Sequence, residues 1–171
     1  MSDSEEHCDS VCEERGIPRH LHKVGRAIDP EFDSGELLYR RHRSATPGLA
    51  DVINFKRMSV NRQKYCEGAE DVLWNDKEGG KHPDQHVFAL PVAALSLRLE
   101  HPDQKGNPYS FGLKPLHKPE QCNYPHTEIT AYKVMADGVE EEIADIKPSS
   151  IKLRMRMELS EYLELQDSGK S

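Results

Sequence analysis

Nowhere in the 171 residues is there a run of about 18 apolar side chains, the length a helix needs to cross a bilayer, so a membrane span is not expected. The opening stretch MSDSEEHCDSVCEER has neither a basic n-region nor an apolar h-region, so a secretory signal is not expected either. Cysteine is scarce. Cys8, Cys12, Cys66 and Cys122 are too few and too irregularly spaced for a disulfide scaffold in a chain of this length, and reduced thiols in a cytoplasm are the expectation. A P-loop, a glycine-rich dinucleotide turn, an EF-hand and a G-x-S-x-G elbow are all missing, as are internal repeats. Aromatics make up only 6% of residues, with one tryptophan, which excludes a stacking stripe for RNA. A net charge of -7 argues against general nucleic-acid affinity, because neutralising phosphates takes clustered lysine and arginine.

What is present is a polar chain, 36% hydrophobic and 31% charged, with a mean hydropathy of -0.78. Its length suits one domain with a modest core. Charge is unevenly placed: residues 1–15 carry six acids against one arginine, whereas residues 16–67 carry ten lysines or arginines against six acids. Residues 1–15 read as a flexible acidic tail, and GIPRHLHKVGRAIDPEFDSG as an irregular arm punctuated by Pro18, Gly25, Pro30 and Gly35. The expected division is therefore a tail and arm over 1–34 and one domain over 35–171.

Within that domain the pattern predicts strands at 36–42, 53–60, 86–90 and 126–134, and a strand broken by Gly112 and Pro115 at 109–116. Short helices are predicted at 67–74 and 92–99, with loops at 76–85 and 101–108. Residues 148–165 alternate as a strand would, yet Ile151, Met155, Leu159 and Tyr162 also form a helical stripe. Helix is preferred, because Ser149 or Ser150 can cap it and good helix formers fill it. Leu153, Met157 and Leu165 then lie off the stripe. The predicted class is α+β: a small, mostly antiparallel sheet, two or three short helices and a C-terminal helix.

Three constellations could carry chemistry. In HKPEQCNYPHTE, residues 117–128, His117, Cys122 and His126 stand as H-x4-C-x3-H, but a structural zinc wants a fourth ligand that is missing locally. This stretch reads as a polar loop leading into a strand, with zinc the lesser alternative. Any of Ser59, Cys66 and Cys122 could pair with a histidine such as His126 or His42 as an activated nucleophile, a signal of low specificity among nine histidines. The third set is Arg40 on the first strand, Ser59 on the second, and His126 and Glu128 on one face of a late strand. Its chemistry is coherent. Arginine grips a phosphate or carboxylate, serine adds a neutral donor and histidine titrates near neutrality. His42, Arg57, Asn61 and Arg62 stand close enough in sequence to line the same ligand site.

The Arg40, Ser59, Glu128 order resembles that of ADP-ribosyltransferases and related NAD-consuming toxins. There the first residue grips the dinucleotide and the acid assists loss of nicotinamide, so the resemblance implies NAD as the co-substrate. It rests on three isolated residues: this chain has MSV and HTEI where those enzymes show Ser-Thr-Ser and a Glu-x-Glu or Gln-x-Glu pair.

Two functions follow as expectations. The favoured one is a cytoplasmic accessory or interaction protein, working with a protein partner or a second copy of itself and requiring no cofactor. The alternative is a small enzyme acting on a nucleotide or other anionic ligand through Arg40, Ser59, His126 and Glu128.

Overall fold

The structure is a computed structural model that describes residues 8–82, 85–101 and 109–166. Among these, eight strands form one curled antiparallel sheet: β1 Leu37–His42, β2 Met58–Arg62, β3 His86–Pro91, β4 Arg98–Glu100, β5 Tyr109–His117, β6 His126–Met135, β7 Glu140–Ile143 and β8 Glu164–Leu165. The order across the sheet is β4-β5-β6-β2-β1-β3-β8, and β7 shares with β2 the far edge of β6. Few helices accompany it: α1 Ser10–Glu14, α2 Leu49–Val52 and α3 Ser149–Ser160, with 3-10 turns between strands.

β6 shows why the sheet forms. Its alternation sends Thr127, Ile129 and Ala131 into the interior and leaves His126 and Glu128 on the other face. Leu38, Met58, Val60, Phe88 and Leu90 join them from β1, β2 and β3, and α3 closes over this layer with Ile151, Met155 and Leu159.

Several predicted elements come out differently. The 53–60 strand begins only at Met58. Asn54 turns its side chain onto the Lys56 amide, and Arg57 takes φ 59, so the chain bends there while Ile53 and Phe55 enter the core as bend residues. The 109–116 strand is unbroken. β4 covers β5 only at Ser110–Gly112, so Pro115 lies where the outer edge has no strand to bond. The 92–99 helix shrinks to a 3-10 turn at Val92–Ser96, because Arg98–Glu100 pairs with β5, and the 67–74 helix shortens to a 3-10 turn at Ala69–Leu73. α3 is helical as expected but stops at Ser160. Tyr162 therefore leaves the stripe and stands 52% exposed, and Leu165 pairs with Phe88 as a strand residue. The 101–108 loop falls outside the described residues from 102 onward.

The first seven residues of the expected acidic tail also lie outside the described residues. From Cys8 onward the segment is packed down rather than free. Asp9 caps α1 by accepting from the Val11 and Cys12 amides, and Cys12 is fully buried and disulfide-bonded to Cys122. Reduced thiols were expected throughout. That expectation is corrected for these two, whose separation of 110 residues left no local sign of pairing. Ile17, Leu21 and Trp74 pack around the bridge.

Candidate functional site

β1 and β2 pair only at Leu38–Arg62 and Tyr39–Asn61. Beyond Tyr39 the strands part, and a cavity of about 910 Å³ opens over the gap. Its strand-borne lining includes Arg40, Arg41, His42, Ser59, Asn61 and His126, while α2 adds Asp51 and neighbouring loops add Asp76, Lys77, His82, Glu120 and Asn123.

Arg40 spans the gap. Its Nε donates to the Val52 carbonyl at 2.6 Å and its Nη1 to the Ser59 carbonyl at 3.0 Å, standing in for the ladder bonds the diverging strands have lost. Strand alternation places Arg40 on the core face with Leu38, whereas register carries Tyr39, Asn61 and His126 across the opposite face. Burial, then the neighbouring Arg41, lowers the Arg40 pKa from its ordinary value. Arg40 thus ties the two strands together while its side chain also lines the cavity. Arg41, two residues on from Tyr39, shares the His126 face. Its Nη1 donates to the carbonyls of Val72 and Trp74 at 3.2 and 3.3 Å.

His126 is the centre of the site. Its Nδ1 lies 2.8 Å from the Lys118 carbonyl, which can only accept, so Nδ1 carries a proton. The other nitrogen, Nε2, lies 3.3 Å from Ser59 Oγ and 3.0 Å from Glu120 Oε1. A neutral ring accepts there from the serine hydroxyl. Contact with Glu120 requires a proton between the two, on the imidazole or on the acid. Burial raises the Glu120 pKa, and a hydrogen bond with Asp76 raises it further, against the pull of His126. Ser59, His126, Glu120 and Asp76 therefore form a continuous proton-sharing chain along the wall. Beside it, Asn61 and Asn123 exchange two amide hydrogen bonds of 2.9 Å. His82 adds a buried Nε2 without a hydrogen-bond partner.

Other predicted residues lie elsewhere. Glu128 stands opposite Ser59 across the β2–β6 pair but turns to Lys118 at 2.8 Å, and it does not line the cavity that Arg40 and Ser59 line. Arg57, in its left-handed bend, is likewise outside the lining. His42 lines the cavity but turns Nδ1 back to accept from the Ser44 amide at 3.0 Å. Arg62, expected to hold ligand, is fully buried. It donates to the Glu36 carboxylate and to the carbonyls of Asp29 and Glu31, tying the N-terminal arm to β2. The zinc trio is also corrected. Cys122 is bonded to Cys12, and both ring nitrogens of His117 are engaged, Nδ1 accepting from the Asp29 amide and Nε2 donating to the Tyr124 carbonyl. Among the described residues, no group of three or more His, Cys, Asp or Glu side chains is arranged to hold a metal ion.

Arg41 and Arg43 belong with Arg40 and His42 to the arginine-rich rim that the sequence offers for an anion, whereas Asp76, Glu120 and Asn123 carry no such sign in the sequence. Glu120 and Asn123 stand within HKPEQCNYPHTE, where the only local hint was turn chemistry. They enter the cavity because their backbones bond each other in a tight turn. Compared with protein-family models, with characterised proteins and with solved structures, the chain matches none.

Proposed function

We propose that the protein binds a small anionic substrate, of nucleotide or polyphosphate type, in the cavity beside β1 and β2, with His126 as the acid–base group. The observation that carries this reading is the Ser59 Oγ–His126 Nε2–Glu120 Oε1 chain, facing a space that Arg41, Arg43 and Lys77 also line. The cavity falls in the size range of ligand pockets, and a guanidinium held by carbonyls rather than carboxylates keeps its charge for an anion. A histidine with one nitrogen fixed by a carbonyl presents the other in a defined state, ready to take or give a proton. Calorimetric titration with ADP and with inorganic pyrophosphate tests it. Arg41→Ala and His126→Asn should each weaken binding by about tenfold or more. Unchanged affinity in both variants would remove the reading.

A second reading, the interaction protein, has one observation of its own: Leu153 and Met157, a helical turn apart on α3, are 55% and 54% exposed. It supposes a second copy of the chain meeting this face. Light scattering should then give a dimer mass that Leu153→Glu with Met157→Glu returns to monomer; a monomer at every concentration rejects it. A disulfide between Cys12 and Cys122 favours a non-reducing setting over the cytoplasmic expectation. Among the described residues no helix is long and apolar enough to cross a membrane.

A further inference from the structure

Both carboxyl groups of the proton-sharing chain are held in place from outside the cavity. Glu120 stands on a turn closed by backbone bonds with Asn123 in both directions, and Cys122 within that turn is bonded to Cys12 of α1. The Lys23 amide donates to the Gln121 carbonyl at 2.9 Å and the Tyr124 amide to the Leu21 carbonyl at 2.8 Å, so the N-terminal segment grips the turn on both sides of the sulfur. The same segment reaches Asp76. Arg15 Nη1 donates to the Asp76 carbonyl at 2.6 Å and to the Cys122 sulfur at 3.6 Å. Gly79, at φ +83, passes so close beneath Arg15 that a Cβ there would collide with the Arg15 carbonyl oxygen. Residues 8–24 thus clamp the two acid-bearing loops, with the disulfide as the covalent part of the clamp.

We propose that the Cys12–Cys122 bond is a redox latch on this site: closed, it seats Glu120 on His126 as an internal occupant, and opened, it frees His126 for an anionic ligand. The proposal rests on the anion-binding reading of the cavity. Its direction follows from the charges around His126. Glu120 touches the ring, Asp76 and Lys77 lie near Glu120, Lys118 is paired with Glu128, and Arg41, on the same sheet face as His126, lines the cavity together with Arg43. Releasing the two loops carries away Asp76, Glu78 and Glu120 with Lys77 and Lys118, a net of one negative charge, so the potential left at the cavity is more positive.

Opening the latch takes a dithiol reductant. Its first thiolate attacks one sulfur of the bridge, and its second displaces the mixed disulfide. The reductant gives up two electrons and two protons and closes to its own disulfide, while Cys12 and Cys122 end as thiols. Both sulfurs are buried, at 0% and 1% exposure, so the N-terminal segment must lift before attack and the switch moves as a unit.

Hydrogen exchange on the full chain, oxidised and after dithiothreitol, tests the latch without any ligand. Amides of residues 75–80 and 118–124 should exchange at least about tenfold faster after reduction, with β1 and β3 unchanged. Cys12→Ser should behave as the reduced protein, and if it does not fold the reduced wild type carries the comparison. In parallel, pyrophosphate affinity should rise about fivefold on reduction. Glu120→Gln should raise it in the oxidised protein and make it indifferent to reductant. Unchanged loop exchange overturns the proposal, as does loss of protection in β1 and β3, which would make the bond a plain structural staple. Faster loop exchange with unaltered affinity, in a protein that does bind pyrophosphate, overturns it too. Should no form bind pyrophosphate, the cavity reading falls and exchange alone decides the latch.

Discussion

His20 joins the N-terminal segment to the body of the protein through both ring nitrogens: its Nε2 lies 2.7 Å from Asp71 Oδ2, and its Nδ1 lies 3.6 Å from Glu67 Oε1. The bond to Asp71 raises the His20 pKa, with burial opposing. For Asp71, burial pushes upward, and the His20 bond and the Glu67 amide outweigh it to leave the pKa lowered. A histidine whose folded pKa exceeds its unfolded value of about 6.5 gives its full stabilisation below that pH and loses it as pH rises through the folded value. Urea unfolding should therefore show stability falling by up to about 1 kcal/mol above roughly pH 6.5, relative to His20→Asn, which should lack this slope. Equal slopes in both proteins would contradict the pairing. Other residues mark the limit of what letters reveal. Arg62 looks in sequence like any surface arginine after a strand, and only the arm folding back with Glu36 and the carbonyls of Asp29 and Glu31 makes it an interior group. A buried charge of this kind requires partners distant in sequence, and no local pattern announces them.

The strands and helices were legible where one face is buried and the other is not. HTEITAYKV alternates cleanly, and β6 forms where predicted, at His126–Met135. INFKRMSV has the right residue types, but a side-chain-to-backbone bond at Asn54 diverts the chain before pairing starts. β5 misled in the other direction, since glycine and proline break a strand only where they meet a neighbour's demands, and most of its outer edge has none. For α3 the two competing periods are settled by packing. Ile151, Met155 and Leu159 face the sheet at 0–1% exposure, and Arg156 fastens the helix by donating to the Ile53 carbonyl at 2.8 Å. Met155→Ala should accordingly cost about 2–5 kcal/mol in denaturant unfolding, while Leu153→Ala on the outer face should cost under about 0.5 kcal/mol. Similar losses at both positions would mean that α3 is covered all round.

For the whole molecule, the sheet's divergence matters more than any one side chain. Because β1 and β2 pair over two residues and then separate, one end of the sheet cannot close on itself, and loops from three distant parts of the chain meet there. Ser59 and His126 were identifiable beforehand as residues of suitable chemistry on neighbouring strands. Glu120 and Asp76 were not, because their approach depends on a clamp whose two sulfurs are 110 positions apart. The anion-binding account predicts a particular response at a single nitrogen. Long-range 1H–15N spectra of the histidine rings, followed during titration with pyrophosphate, should show the His126 Nε2 resonance moving along a saturable curve while two buried rings stay still: His22, bonded to the Asp9 amide and the Ile17 carbonyl, and His117, bonded at both nitrogens. A His126 resonance that does not move, or rings that all drift together in proportion to added salt, would contradict it.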